Sequence, residues 1–100
     1  MRDTKRIEIV IDKPHVPEVR KALDALGVPG LTVFETLAGY GDRGQRDGGE
    51  LSDAMVNHYL LTTCEPEQVD DLAAALEPIL RRYGGLCLIS DARLIRNERP

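Results

Sequence analysis

Polar and apolar residues alternate through Lys5-Arg6-Ile7-Glu8-Ile9 and run into the β-branched pair Val10-Ile11, with Pro14 just beyond. This pattern predicts a strand over 5–12 that ends before the proline. Pro17 suits the first turn of a helix and Gly27 the residue past its end, while Val16, Val19, Leu23 and Leu26 fall on one helical stripe between them. A second β-branched run, Gly30-Leu31-Thr32-Val33-Phe34-Glu35-Thr36-Leu37, lies between Gly30 and Gly39 and predicts a strand over 30–37.

From Gly39 to Asp53 the pattern changes. Five glycines are joined by Asp42, Arg43, Arg46, Asp47 and Glu50, and little in the segment can be buried. The reading is a mobile loop, longer than hairpin connections usually are. A third strand is predicted over 54–63. A second helix starts near Pro66, its apolar face formed by Val69, Leu72, Ala73, Leu76, Ile79 and Leu80, and Pro78 is expected to bend or fray its last turn. Gly84-Gly85 breaks the pattern, Leu86-Cys87-Leu88-Ile89 forms a fourth strand, and 91–96 closes the chain as a short tail.

The order βαββαβ is that of an α+β, ferredoxin-like domain: a four-stranded antiparallel sheet with both helices on one face. One domain over residues 1–100 is expected, because 100 residues with 42% hydrophobic content suffice for one core. Glu8–Ile11 and Leu86–Ile89 carry apolar residues at consecutive positions, so apolar side chains point to both faces of the sheet. Two helices cover only one of them, and self-association is the natural way to cover the other.

Seventeen acidic and thirteen basic side chains leave a net charge of −4. Non-specific attraction to nucleic acid or to anionic membranes is therefore not expected, and any anion site must be local. No apolar run near the N-terminus is long enough for a signal-peptide core or a membrane span, which points to the cytoplasm. Cys64 and Cys87 each sit in an apolar run and read as buried reduced thiols; His15 and His58 read as surface or rim residues without a metal-ligand partner at helical spacing.

Gly39-Tyr40-Gly41-Asp42-Arg43-Gly44-Gln45-Arg46 is the most informative segment for chemistry. Glycines let backbone N–H groups approach a phosphate, and two arginines can supply bidentate charged bonds. The same residues also suit a solvated hairpin loop, and spacing alone does not choose between the two. The segment leads into a strand, unlike a Walker loop or a dinucleotide fingerprint. No catalytic constellation stands out: Ser52 and Ser90 lack a nucleophile motif, Glu67, Asp70 and Asp71 suit the first turn of helix 2, and Arg81-Arg82 suits its last turn.

Lys5-Arg6-Ile7-Glu8-Ile9-Val10-Ile11, Val19-Arg20-Lys21-Ala22-Leu23, Gly27-Val28-Pro29-Gly30-Leu31-Thr32-Val33 and Gly39-Tyr40-Gly41 resemble successive landmarks of the P-II signalling family. The resemblance covers about 5–96. Within the family the chain looks most similar to the inorganic-carbon branch, the carboxysome-associated P-II and SbtB-like proteins, on Gly39-x-Gly41-x-Arg43-x-x-Arg46, Ser52-Asp53 and Tyr83-Gly84-Gly85. It implies a homotrimer with an adenine nucleotide in each cleft between subunits and a regulatory T-loop at about 39–53. By this resemblance Thr32 and its backbone hold the base, and Thr63 lines the base pocket. Gly39 and Gly41 let the loop pass close to the nucleotide, while Arg43 and Arg46 reach the phosphates. Gly84 and Gly85 end the B-loop, and Arg96 is a phosphate-binding arginine supplied across the subunit boundary.

The departures from the family pattern narrow the ligand. Gly85 stands where the family places a lysine, which favours ADP or AMP over ATP, with cyclic AMP a further candidate and bicarbonate a companion ligand. Tyr40 lies at the base of the loop, so uridylylation at its tip is not expected, and the 2-oxoglutarate site is not reproduced. The sequence ends at Pro100 without the cysteine-bearing extension of SbtB-like members, so their redox switch is not expected. The implied protein is non-enzymatic and signals to an unidentified partner, a bicarbonate transporter or a carboxysome component. Two other readings of the fold are a CutA-like trimeric, metal-linked binding module and a small ferredoxin-like enzyme.

Overall fold

The computed structural model describes residues 1–28, 30–37, 39–41, 44–46 and 56–96. Its elements are β1 (Arg2–Asp12), α1 (Val16–Ala25), β2 (Thr32–Leu37), β3 (Gly39–Gly41), β4 (Gly44–Arg46), β5 (Asn57–Cys64), α2 (Val69–Tyr83) and β6 (Leu86–Leu94), with single 3₁₀ turns before each helix. Four strands form one antiparallel sheet in the order β2-β5-β1-β6, and β3 and β4 pair as a separate ribbon. This is the ferredoxin-like arrangement that the sequence predicts.

Register explains the two faces. Ile7, Ile9 and Ile11 of β1 lie opposite Thr62, Leu60 and His58 of β5, and all six are buried. Val19 and Leu23 of α1 and Leu72 and Leu76 of α2 join them in one core, so both helices cover the same face. The intervening residues Arg6, Glu8 and Val10 point the other way, because a strand turns successive side chains to opposite faces.

The helix boundaries follow local chemistry. At the end of α1, Gly27 adopts φ +74°, its N–H reaches Asp24 O at 3.0 Å, and Val28 N–H reaches Leu23 O at 3.1 Å. This is a Schellman cap, completed by the burial of Val28 with Leu23. Gln68 ties the two helices together: its Oε1 accepts from Glu65 N–H and its Nε2 donates to Leu26 O, both at 2.9 Å.

Several expectations need correction. Pro78 does not fray the last turn of α2, which continues to Tyr83; Pro78 and Ala74, whose carbonyl it leaves without an intrahelical donor, both lie on the solvent side. Strand β6 runs through Leu94 where a short strand and a tail were expected, because pairing with β1 continues to Arg2↔Leu94. The segment read as a loop contains the β3–β4 ribbon; residues 42, 43 and 47–53 lie outside the described residues, as do 54 and 55 of the expected third strand. His58 is buried rather than at a rim.

Two glycines separate backbone strain from steric clash. A Cβ on Gly27 meets nothing within 4 Å, whereas one on Gly85, at φ +96°, falls 2.4 Å from Val10 O. Gly27→Ala is expected to cost about 1–2 kcal/mol through its left-handed backbone alone, and Gly85→Ala about 3 kcal/mol or more because strand β1 must also move. Urea denaturation midpoints of the two variants check this ordering, and equal losses would refute it.

Candidate functional site

The residues singled out for ligand binding fall into two groups. At one end, Gly30, Leu31 and Thr32 at the start of β2, Thr62 and Thr63 of β5, and Arg93 and Arg96 line a cleft of about 350 Å³. Thr32, Thr63 and Arg96 are therefore brought together. The buried Thr62 hydroxyl fixes this end by donating to Gly30 O at 2.6 Å, and Thr4 Oγ1 donates to Cys64 O at 2.9 Å. Arg6 enters the same cleft because β1 pairs it with Thr63 on one side and Ser90 on the other.

Arg6 and Arg93 are the charged lining residues that sequence reasoning missed. Their signal lies in strand pairing, since only the register places Arg6 beside Thr63. Arg6, Arg93 and Arg96 thus all line one small cleft of a protein whose net charge is −4. Threonine hydroxyls, an open backbone and guanidinium groups together suit a ligand with hydrogen-bonding edges and negative charge.

At the other end, Leu37 pairs with Asn57, which pairs with Asp12, and Leu86 pairs with Val10. Gly39 and Gly41 of the ribbon root and Gly84-Gly85 before β6 are therefore on the same side of the molecule. Gly84 N–H closes α2 on Leu80 O at 2.8 Å, and positive φ at both glycines turns the chain sharply into β6. Arg46 belongs to β4, opposite Gly39. Arg43 lies outside the described residues.

The chain between the two groups is β6 itself. Its nine residues, from Leu86 to Leu94, span about 26 Å. That is farther than one nucleoside diphosphate reaches, so a single subunit does not bring Arg96 and the Gly84-Gly85 turn to one such ligand.

The uncovered sheet face has its own electrostatics. Arg6 Nε donates to Ser90 Oγ at 3.1 Å and lies 3.3 Å from Glu8 Oε1, while Tyr59 OH donates to Glu8 Oε2 at 2.8 Å. The bond to the Glu8 carboxylate raises the Tyr59 hydroxyl above the usual tyrosine value. Near the three-arginine cleft, Lys5 pairs with Asp91 and holds its carboxyl below the ordinary aspartate value.

The family model for nitrogen regulatory protein P-II matches residues 4–99. The chain belongs to the P-II family. Its fold is similar to that of CPII, a nitrogen regulatory PII-like protein from Thiomonas intermedia K12 bound to ADP, AMP and bicarbonate. The TM-score is 0.87 at 23% identity, over 94% of this chain and 90% of that one. The apo form of the same protein matches at a TM-score of 0.78 and 20% identity, over 95% of each chain. A PII-like signaling protein from Thermus thermophilus matches at 0.75 and 17% identity, over 94% and 91%. Among curated proteins, none matches this chain in sequence.

P-II proteins are signalling proteins and are typically trimeric. In this P-II chain the potentially reactive groups are quiet. Among the described residues no three His, Cys, Asp or Glu side chains gather to hold a metal ion, and no helix is long and apolar enough to cross a membrane. His15 stacks on Tyr83 with ring centroids 3.6 Å apart. Both cysteines are free thiols, and burial is the main cause that raises them, Cys87 to about 11 with the neighbouring Cys64 adding to the effect.

At pH 8 about one Cys87 in a thousand is therefore a thiolate. The folded state holds this proton more tightly than the unfolded state, so the associated stability is fully present below pH 9 and is lost as pH rises from there towards 11. Iodoacetamide labelling followed by mass spectrometry at pH 8 is expected to modify Cys87 at least about tenfold faster in the unfolded chain. Equal rates would show that burial does not protect it.

Proposed function

We propose that this P-II protein is a cytoplasmic homotrimer that binds ADP or AMP in each cleft between neighbouring subunits. The observation that carries the reading is that Arg96, in the cleft with Thr32 and Thr63, and the Gly84-Gly85 turn lie beyond opposite ends of β6, with about 26 Å of strand between them. An isologous dimer sets like patches against like. A head-to-tail contact sets the Thr32–Thr63–Arg96 end of one copy against the Gly39–Gly41–Gly84–Gly85 end of the next and closes into a ring, giving equivalent sites.

In each such site, Thr32, Thr63 and the backbone at Gly30–Leu31 receive the base. Arg96, supplied across the boundary, meets the phosphates, with Arg43 and Arg46 reaching them from the T-loop at 39–53. Gly84 and Gly85 let the backbone approach. The fold neighbour from Thiomonas intermedia K12, bound to ADP, AMP and bicarbonate, supports the ligand class. Close contact of Gly85 with Val10 O supports the preference for the shorter phosphate chains, because a lysine side chain has no room to start from that position.

The function is regulatory and non-enzymatic. Nucleotide, with bicarbonate beside the phosphates, binds one T-loop shape better than others, and the population shifts towards it. A protein partner concerned with inorganic carbon, a transporter or a carboxysome component, then reads that shape.

Calorimetric titration of the protein with AMP, ADP, ATP and cyclic AMP, each with and without bicarbonate, tests the reading. ADP or AMP is expected to bind with Kd on the order of 1–100 μM, more tightly when bicarbonate is present. Arg96→Ala is expected to weaken binding about 10- to 100-fold, and Arg43→Ala with Arg46→Ala to weaken it without unfolding the trimer. Absence of binding by all four nucleotides, or unchanged affinity in these variants, would refute the assignment.

A further inference from the structure

We propose that the hydrogen-bonded strip Ser90–Arg6–Glu8–Tyr59 sets the register in which a second copy of this chain packs on the uncovered face of the sheet. The inference rests on the self-assembly reading above and adds what makes that assembly specific. The strip crosses three strands, from β6 through β1 to β5, with its members joined at 2.8–3.3 Å. Apolar side chains flank the strip. Phe34 packs against the Tyr59 ring on one flank, and Leu86 and Leu88, 47% and 57% exposed, stand on the other.

An apolar face alone attracts a second copy at many offsets, since hydrophobic contact has no direction. The strip removes that freedom. Arg6 and Glu8 still face water, with side chains 52% and 27% exposed, and covering them strips that water away. An offset that lays apolar side chains over the pair leaves charged groups with unmet bonds. An arrangement that brings polar atoms of the next copy to the strip leaves none. Opposite charges side by side keep the face neutral, so copies of it do not repel one another.

Sedimentation velocity over a dilution series, with circular dichroism to confirm the fold, tests this on the full chain. Wild type is expected to form one discrete trimer. Glu8→Leu leaves Arg6 unmatched and is expected to weaken assembly about tenfold or more, with the secondary structure intact because the side chain lies outside the core. Replacing the whole strip (Arg6→Met, Glu8→Leu, Tyr59→Phe, Ser90→Ala) is expected to keep association while giving several coexisting oligomers. A wild-type trimer whose size and dilution behaviour survive both variants would overturn the role of the strip alone. A wild-type chain that stays monomeric would overturn the assembly reading and the role of the strip with it.

Discussion

A four-stranded sheet has two faces, and this chain supplies helices for only one of them. Strand β1 sits inside that sheet, between β5 and β6, so its alternation is imposed on the whole molecule. Ile7, Ile9 and Ile11 meet α1 and α2 on one side, and everything that faces the other side is left for another surface or for water. The core, the open face and the separation of the two ligand groups all derive from this placement, because each depends on which residues β1 brings into register.

Burial on one side and polarity on the other serve different ends. The helix-covered face buries polar groups together with their partners, as Thr62 does with Gly30 O. The open face combines apolar side chains with the Arg6–Glu8–Tyr59 network. Such a mixture suits a surface that is covered in assembly yet must not be covered indiscriminately. The same arginine also reaches the three-arginine cleft, so ligand end and assembly face share a residue.

Much of this was legible in the chain. The alternation at Lys5–Ile11 and the helical stripes at Val16–Leu26 and Val69–Leu80 made the βαββαβ order readable, because burial of one face leaves a periodic trace. Gly27 marked a helix end for a local reason, its positive φ. Other features left no such trace. Pro78 looked disruptive, yet its position on the solvent side lets α2 continue; the far half of β6, with Asp91 and Arg93, looked like a tail because edge-strand pairing with β1 leaves no hydrophobic signature. His58 was misread because its burial follows from lying opposite Ile11.

By itself the sequence determined the βαββαβ order and pointed to the candidate residues Thr32, Thr63, Gly84, Gly85 and Arg96, since periodicity, turn chemistry and family-like motifs are local properties. Only the tertiary structure decided that Thr32, Thr63 and Arg96 share a cleft with Arg6 and Arg93 while Gly84-Gly85 lies at the other end of β6 from Arg96. It also decided that Gly85 abuts Val10 O and that Arg6, Glu8, Tyr59 and Ser90 join across three strands. The physical reason is register: neighbours across a sheet are distant in sequence, and which residue faces which is set by the pairing of whole strands rather than by any residue's own preference.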